Sequence, residues 1–311
     1  MTWLLLNGDF NIFFREPIHQ PVLLDEAVNF LQPADGGTYV DGCLGMGGHT
    51  SRILEISKPG GKVIGFEWDA DALAIARERL KRFGNRVTFI RKNYSSFKET
   101  MAELGIQRID GLLLDLGLSS FQLDQSGRGF SFKGSEPLDM RMDDRKIETA
   151  ADIINTATQE ELADIFYLFG GERQARPIAA SIAAERKKNK ILTTDQLVKI
   201  VAGAIPKRFH PKKIHVATKV FQGLRIAVNR ELDNLVTVLE DSVAFLNPGA
   251  RISVIAFHSL EDRVTKRFFR QNPILDVLTS KPVEPGEEER RQNPRARSAK
   301  LRVCRKSTTV T

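Results

Sequence analysis

This sequence of 311 residues has few cysteines and no long apolar run, which argues against a disulfide-rich protein and against a membrane protein. Its two cysteines, Cys43 and Cys304, are too few for a disulfide framework, so we expect a reducing cytoplasm as its location. No apolar stretch approaches the roughly 18 residues that a membrane helix needs. Residues 1–14 are briefly apolar, but they lack a basic start and polar residues interrupt them, so we expect neither a secretory signal nor an anchor.

Three ligand-binding signatures are also absent. There is no Gly-Lys-Ser or Gly-Lys-Thr, which argues against a nucleoside triphosphate held by a phosphate loop. The dinucleotide pattern G-x-G-x-x-G fails, because Thr50 stands three residues after Gly47. The five histidines and two cysteines lack metal-ligand spacing, so we predict no bound metal.

Positive charge, in contrast, is concentrated. The chain carries a formal net charge of +7. Residues 172–231 hold fourteen lysines and arginines against four acids, a net of +10, so the remainder is slightly acidic. From residue 281 onward the tail is basic again, with nine lysines and arginines against four glutamates. Because counterion release favours basic segments on a phosphate backbone, we prefer a nucleic-acid partner to a set of solvated helix faces.

The first 115 residues alternate short apolar runs with helical patterns. This alternation predicts an α/β fold with a mainly parallel sheet. The predicted strands are residues 38–41, 62–67, 86–91 and 109–115, and the predicted helices are residues 49–57, 70–83 and 95–104.

The pattern changes after the fourth predicted strand. Residues 116–145 are loop-like, and residues 149–205 have helical periodicity throughout. A long helical pattern at residues 216–246 ends at Asn247-Pro248-Gly249, and further elements follow. We predict one discontinuous α/β domain, residues 1–133 and 216–311, interrupted by a basic helical insertion at residues 134–215. The predicted later elements are a strand at 251–257, a helix at 260–271 and a strand at 300–304.

A glycine-rich loop follows the first predicted strand. The loop begins at Asp41, contains Gly45, Gly47 and Gly48, and ends at His49. An acid ahead of the glycines would repel a pyrophosphate but suits a cationic ligand. We therefore predict cofactor contacts along this loop, although a purely structural turn would look similar.

Two more acids lie at predicted strand ends. Glu67 follows Asp41 by 26 residues and ends the second strand, where a carboxylate can accept hydrogen bonds from ribose hydroxyls. Asp115 ends the fourth strand at the same carboxyl edge, where open α/β sheets bind ligands. S-adenosylmethionine fits this set, because it has a ribose, a sulfonium and an amino-acid tail but no phosphate.

Longer motifs make a family resemblance specific. The chain resembles the ribosomal RNA small subunit methyltransferase H family, also called the MraW type, over nearly its full length. The matching segments are HQPVLLDEAV from residue 19, the glycine loop, LLDLGLSSFQLD from 113, RGFSF from 128, LDMRMD from 138, FQGLRI from 221, FHSLEDR from 257 and NPRARS from 293.

This resemblance implies a fold, a reaction and a partner. It implies a class I S-adenosylmethionine-dependent methyltransferase with a Rossmann-like sheet and an inserted helical domain. The implied reaction methylates N4 of a cytosine in the decoding region of 16S rRNA, within the small ribosomal subunit. The implied cofactor contacts are Gly47, Gly48, His49, Glu67, Tyr94, Asp115 and Gln122.

The substrate side leaves alternatives open. We hypothesise that Asp139 orients the target amine and that Asp115 serves the cofactor, the amine or both. Asp139 and Arg141 could equally form a salt-bridged turn, and Phe130 and Phe132 could stack on a base or pin the loop to the sheet. The candidate substrate-binding residues are Arg141, His215, Arg225, His258 and Ser259.

Two other functions remain open at this stage. The chain could methylate an amine of a different nucleic acid, or it could be a non-catalytic ribosome-assembly factor that binds RNA. The intact glycine loop, Glu67 and Asp115 favour cofactor use over a scaffold role. A homodimer is compatible with the sequence, and no contact with a membrane is expected.

Overall fold

The structure, a computed structural model, describes residues 21–118, 122, 126–132 and 134–308, so the apolar stretch at residues 1–14 lies outside it. Within these residues one sheet has the strand order β3-β2-β1-β4-β5-β7-β6. The first five strands are parallel, whereas β7 is antiparallel to β5 and β6 is antiparallel to β7. This confirms the predicted class I fold. The strands are β1 (Thr38–Asp41), β2 (Lys62–Phe66), β3 (Val87–Ile90), β4 (Ile109–Asp115), β5 (Leu246–Ala256), β6 (Leu275–Val277) and β7 (Lys300–Lys306).

Helices cover both faces of the sheet and build a separate body beside it. None of the described helices is long and apolar enough to cross a membrane. The helices are α1 (Leu24–Leu31), α2 (Gly48–Ile56), α3 (Ala70–Leu80), α4 (Phe97–Glu103), α5 (Ala150–Thr156), α6 (Gln159–Asp164), α7 (Ala175–Glu185), α8 (Thr194–Ala204), α9 (Thr218–Asn229), α10 (Glu231–Phe245), α11 (Ser259–Gln271) and α12 (Glu287–Gln292).

The sheet is apolar on both faces because helices cover both. Successive strand residues point to opposite sides, so Tyr39 lies in the core that α1, α2 and α3 cover, whereas Val40 lies in the core that α4, α10 and α11 cover. This arrangement leaves the carboxyl ends of the parallel strands as the open edge of the domain.

A third hydrophobic core belongs to the inserted helices. Its buried residues run from Phe130 to Val228, so α9 packs with α5 to α8. The partly buried side chains of Trp68 and Leu118 also pack against this core from the sheet side. The division of the chain at residues 134 and 216 stays a prediction, and this core extends past both limits.

The long helical pattern predicted for residues 216–246 is two helices in the structure. They meet at Arg230, which has a left-handed backbone with φ of 52°. Both helices share the same apolar period, so periodicity does not mark the break. Asn247-Pro248-Gly249 is also part of β5 rather than of a loop, and the pairing with β4 is irregular there. The elements α1, β6 and α12 were not predicted from the sequence.

Candidate cofactor and substrate cleft

A cleft opens where β1, β2 and β4 end. Its lining includes Gly45, Gly48 and His49 of the glycine loop, together with Glu67 and Asp115. Parallel strands bring their carboxyl ends to one edge of a sheet, which explains why residues far apart in the chain meet here. The structure thus brings together most of the residues predicted to hold a cofactor.

Asp41 lies behind the glycine loop rather than in the cleft. Its fully buried carboxyl group accepts hydrogen bonds from the hydroxyl of Thr50 at 2.7 Å and from the amide of Cys43 at 3.2 Å. Burial raises the pKa of Asp41 to about 6, and these hydrogen bonds oppose that rise. The structure therefore gives Asp41 a role in holding the loop, and its contact with the cofactor stays a prediction.

Gly47, like Asp41, is not among the residues that line the cleft. It precedes α2 with φ of 80°, and a Cβ atom there would lie 2.7 Å from the side chain of Leu80. A side chain would therefore need both a left-handed backbone and a movement of the Leu80 side chain. The predicted contact between Gly47 and the cofactor stays a prediction.

Glu67 lies one residue beyond β2, at the cleft. One carboxylate oxygen accepts the amide of Gly45 and the other accepts the amide of Asp69, each at 2.9 Å. Burial raises the pKa of Glu67 to about 7, although these two hydrogen bonds act in the opposite direction. Because a carboxylate oxygen has a second lone pair, both oxygens can still accept from a ribose diol.

Asp115 and His49 face each other across the end of β4. The imidazole Nδ1 of His49 lies 3.6 Å from Oδ2 of Asp115, and its Nε2 lies 3.2 Å from the carbonyl oxygen of Val22. Oδ1 of Asp115 is buried and has no hydrogen-bond partner in the described part of the chain. Burial raises the pKa of Asp115 well above its ordinary value, and the nearby charges of Asp41 and Glu261 add to that effect. A buried acceptor without a partner is costly, so this oxygen is suited to a donor from a ligand.

Gln122 is buried and lines the cleft, and its side chain contacts Asp69, which was not singled out from the sequence. Its amide donates to the carboxylate of Asp69 at 3.0 Å. Asp69 is also buried and accepts from the guanidinium of Arg128. The ring of Trp68 lines the cleft, and the ammonium group of Lys146 lies 5.1 Å from its centre. Trp68 and Asp69 directly follow Glu67 in the sequence, and this position was the available signal that they lie near the cleft.

Arg225 is partly buried beside the cleft, in a salt bridge. Its guanidinium donates two hydrogen bonds to Glu231, at 2.7 and 2.8 Å. Glu231, Glu261 and Tyr94 line the cleft next to this pair. Burial raises the pKa of Tyr94 well above its ordinary value, so its phenol stays protonated. Arg225 was predicted to bind substrate, but in the structure its guanidinium is paired with the carboxylate of Glu231.

His258 and Ser259 lie at the start of α11, just outside the cleft lining. His258 caps this helix: its Nδ1 accepts the amide of Glu261, whose carboxylate accepts the amides of Phe257 and His258. Ser259 is exposed. The structure therefore gives His258 a capping function and does not bring either residue into the cleft.

Glu231, His258 and Glu261 are close enough to suggest a metal site, with candidate ligand atoms within 4.8 Å of one another. Two features argue against one. Nδ1 of His258 accepts a hydrogen bond, so in neutral histidine the proton is on Nε2, which faces Glu261 at 3.2 Å. In addition, both carboxylate oxygens of Glu231 are bound by Arg225. The absence of a metal stays a prediction.

Asp139 and Arg141 form a salt-bridged turn away from the cleft lining. Arg141 donates two hydrogen bonds of 2.7 Å to the carboxylate of Asp139, and its backbone amide donates a third of 3.0 Å. Burial raises the pKa of Asp139, but the hydrogen bonds from Arg141 outweigh burial and hold the pKa below its ordinary value. Of the two open interpretations, the structure favours the structural turn over a catalytic Asp139.

His215 is exposed on the insertion and stacks on Phe132. The two rings are 4.5 Å apart and nearly parallel, with 12° between their planes. Phe132 also meets Phe221 edge to face, whereas Phe130 is buried in the core of the insertion. Both phenylalanines thus hold the loop to the insertion, which leaves the outer face of His215 toward solvent.

Four carboxyl groups, those of Glu67, Asp115, Glu231 and Glu261, line the cleft together with the cationic side chains of Arg79, Lys92 and Arg295, and Arg225 pairs with Glu231. The first-turn amides of α2 have no acceptor within their helix and can bind an anion. The arrangement therefore suits a ligand that has a cationic centre, a diol and a carboxylate.

Comparison with known proteins agrees with this geometry. The model of the MraW methylase family matches residues 16–307. A ribosomal RNA small subunit methyltransferase H from Desulfotalea psychrophila is 59% identical, over 94% of this chain and 99% of its own length. Proteins of the same name from Syntrophus aciditrophicus and Sorangium cellulosum are each 47% identical, over 92% and 93% of this chain and 96% and 90% of their own lengths. The chain therefore belongs to the MraW methylase family, and it is a methyltransferase.

Proposed function

We propose that this protein transfers a methyl group from S-adenosylmethionine to the exocyclic N4 of a cytosine in the decoding region of 16S rRNA. Family membership and the names of the relatives support ribosomal RNA of the small subunit as the substrate. The observation that carries the proposal is the unpartnered buried Oδ1 of Asp115, in the same cleft as Glu67 and the glycine loop.

The residues of the cleft fit the cofactor. Glu67 has lone pairs for both ribose hydroxyls, and the amides at the start of α2 suit the carboxylate of the amino-acid tail. Gln122 and Tyr94 line the same cleft. S-adenosylmethionine supplies an electrophilic methyl group on a sulfonium, and the carboxyl groups of the lining favour binding of that positive charge.

The other task of the site is to position a weak nucleophile. The lone pair of a cytosine amine is delocalised into the ring, so the rate must come mainly from alignment and electrostatics. Oδ1 of Asp115 can accept a hydrogen bond from the amine and orient it toward the methyl group. As the amine gains a bond to carbon it becomes more acidic, and we assign its proton to the carboxylate form of Asp115, which the positive charge of the bound sulfonium favours against the effect of burial.

The insertion provides the surface for RNA. Its residues carry most of the basic excess between positions 172 and 231, and the exposed His215 adds a ring for stacking. A target base must leave its stack to enter the cleft, so contacts to flanking nucleotides have to hold the strand. We also propose a cytoplasmic location, because the substrate is in the ribosome, and we keep the homodimer as a prediction.

Methyl transfer can test this function directly. The protein would be incubated with isotopically labelled S-adenosylmethionine and unmodified small subunits, free 16S rRNA or duplex DNA, and the digested nucleosides analysed by mass spectrometry. We expect N4-methylcytidine in the rRNA. Label in DNA alone would establish a different substrate, whereas cofactor binding without transfer to any substrate would favour the assembly factor.

A further inference from the structure

We propose that Asp69 is a positioning residue for the cofactor, because its buried carboxylate fixes the side chain of Gln122 in the cleft and ties it to Arg128. Among the described residues, Gln122 lines the cleft and Asp69 does not. Asp69 therefore acts on the cofactor through Gln122 rather than by direct contact. This inference rests on the proposed function and deepens it, since Gln122 is one of the residues predicted to bind S-adenosylmethionine.

The two carboxylate oxygens of Asp69 have different partners. Oδ1 accepts the amide of Asp71 at 3.0 Å and so caps α3. Oδ2 accepts the side-chain amide of Gln122 at 3.0 Å and also the guanidinium of Arg128. A helix cap needs only one acceptor oxygen, which Ser or Asn also provides, so capping does not explain why a carboxylate is buried here. The second oxygen is the one that holds Gln122 and Arg128.

A hydroxyl group closes a ring of hydrogen bonds around this carboxylate. Oγ of Ser126 donates to the carbonyl oxygen of Gln122 at 2.6 Å and accepts the amide of Arg128 at 3.4 Å. The two residues that meet Oδ2 of Asp69 are thus also joined through Ser126. Gln122 is held both at its backbone and at the amide end of its side chain, which lowers the entropic cost of binding a ligand there.

The carboxylate of Asp69 is also fixed relative to the proposed ribose site. Oε1 of Glu67 accepts the backbone amide of Asp69 at 2.9 Å, and Oε2 of Glu67 accepts the amide of Gly45. One chain of hydrogen bonds therefore connects the glycine loop, Glu67, Asp69 and Gln122. A nucleoside bound by Glu67 meets a side chain of Gln122 whose orientation is already set.

Arg128 extends the same network toward the inserted helices. Its guanidinium donates to the carbonyl oxygen of Arg141 at 3.1 Å, and the side chain of Asn229 in α9 accepts the amide of Met142 at 2.9 Å. A purely structural role of Asp69 would act along this route, whether or not Gln122 is present. A positioning role acts through Gln122 alone, so the two roles predict different results when both residues are changed.

The test compares D69N, Q122A and the double variant D69N/Q122A with D71N. In D69N the carbonyl oxygen can still cap α3, whereas an NH2 group replaces Oδ2 and faces two donors. Asp71 is exposed in the first turn of the same helix, so D71N is a matched control for the lost charge. Calorimetry would give the dissociation constant of S-adenosylmethionine, and urea denaturation would show that each variant is folded.

We expect D69N to weaken the binding of S-adenosylmethionine about ten-fold, the effect of one hydrogen bond, and D71N to bind like the wild type. Q122A should show a loss of similar size, and the double variant should bind no more weakly than Q122A. Equal affinities of D69N and D71N would overturn the inference. Losses that multiply in the double variant would also overturn it, because they would assign the effect to the fold.

A milder variant, S126A, applies the same test without disturbing the buried charge. It removes only the hydroxyl that closes the ring, so it answers the question even if D69N does not fold. We expect S126A to weaken cofactor binding in the wild-type background and to have no effect in Q122A. Unchanged affinity in both backgrounds would count against the inference. If the wild-type protein bound S-adenosylmethionine but transferred no methyl group to rRNA, only the proposed function would fail.

Discussion

Arg225 of α9 and Glu231 of α10 form a two-point salt bridge across the break at Arg230. It joins α9, which packs in the core of the inserted helices, to the first turn of a helix that packs on the sheet beside the cleft. We predict that R225M lowers the free energy of unfolding by about 3–5 kcal/mol, because it leaves the buried carboxylate of Glu231 without its partner. Urea denaturation would measure this. The double variant R225M/E231Q should recover much of the loss.

A different outcome would restore the role predicted for Arg225 from the sequence. If R225M kept its stability but lost affinity for rRNA, the guanidinium would be a substrate contact. The double variant separates the two interpretations, because removing Glu231 as well cannot restore a lost RNA contact.

Cofactor affinity should depend on pH through Glu67. Burial raises the pKa of this carboxyl to about 7 in the free protein, so it is largely protonated at pH 6 and ionised at pH 8. The ionised form is the better acceptor for the ribose hydroxyls. We therefore predict that affinity for S-adenosylmethionine rises several-fold from pH 6 to pH 8 in calorimetric titrations. In E67Q the affinity should be lower and this rise should be lost; a rise kept in E67Q would assign the titration to another group.

Asp139 should matter for stability rather than for turnover. Its hydrogen bonds from Arg141 hold the pKa of Asp139 below its ordinary value despite burial. The ion pair therefore stabilises the fold above the pKa of the unfolded carboxyl, and this contribution is lost as the pH falls through the folded pKa. We predict that D139N lowers the free energy of unfolding by about 1–3 kcal/mol at pH 7, with kcat unchanged. A hundred-fold fall in kcat at unchanged stability would instead support the catalytic hypothesis.

Asp115 should matter for turnover rather than for stability. Its buried Oδ1 is the acceptor that we assign to the target amine. We predict that D115N lowers kcat by about 100-fold, because an amide cannot take the proton. Affinity for S-adenosylmethionine should fall less than kcat does. Single-turnover rates and calorimetry on one preparation would measure both, and equal losses in the two would assign Asp115 to the cofactor alone.

Two glycines in the segment that joins the cleft to the insertion form a matched pair. Gly127 and Gly129 both have positive φ, of 61° and 75°. A Cβ atom at Gly129 would lie 2.3 Å from the carbonyl oxygen of Pro137, whereas one at Gly127 meets no atom of the described residues within 4 Å. We predict that G127A costs about 1 kcal/mol through backbone strain alone. G129A should cost about 3 kcal/mol, because the backbone must also move. Equal unfolding midpoints for the two variants would contradict the close approach of Gly129 to the backbone of Pro137.

The sequence predicts the sheet and the cofactor side of the site better than the substrate side. Strand ends converge by topology, so the positions of Glu67 and Asp115 follow from the order of elements alone. The roles of Arg225 and Asp139 do not, because they depend on which side chain each charge meets. Glu231 and Glu261 were missed for the same reason: first-turn acids are common helix features, and only packing brings them to the cleft.

The break at Arg230 shows a second limit of pattern analysis. The apolar period continues through α9 and α10, so the sequence indicates one long helix there. The structure ends α9 with a left-handed residue, and the side chain of Asn229 binds the backbone of Met140 and Met142. That contact spans more than 80 residues of sequence, which places it outside the reach of local periodicity.

A crystal structure of the protein soaked with S-adenosylhomocysteine tests the central claim most directly. Our account predicts electron density for the nucleoside between the glycine loop and Asp115, with both ribose hydroxyls at hydrogen-bond distance from the carboxylate of Glu67. Density bound elsewhere, or a cleft that stays empty at millimolar ligand while the protein still methylates rRNA, would contradict it.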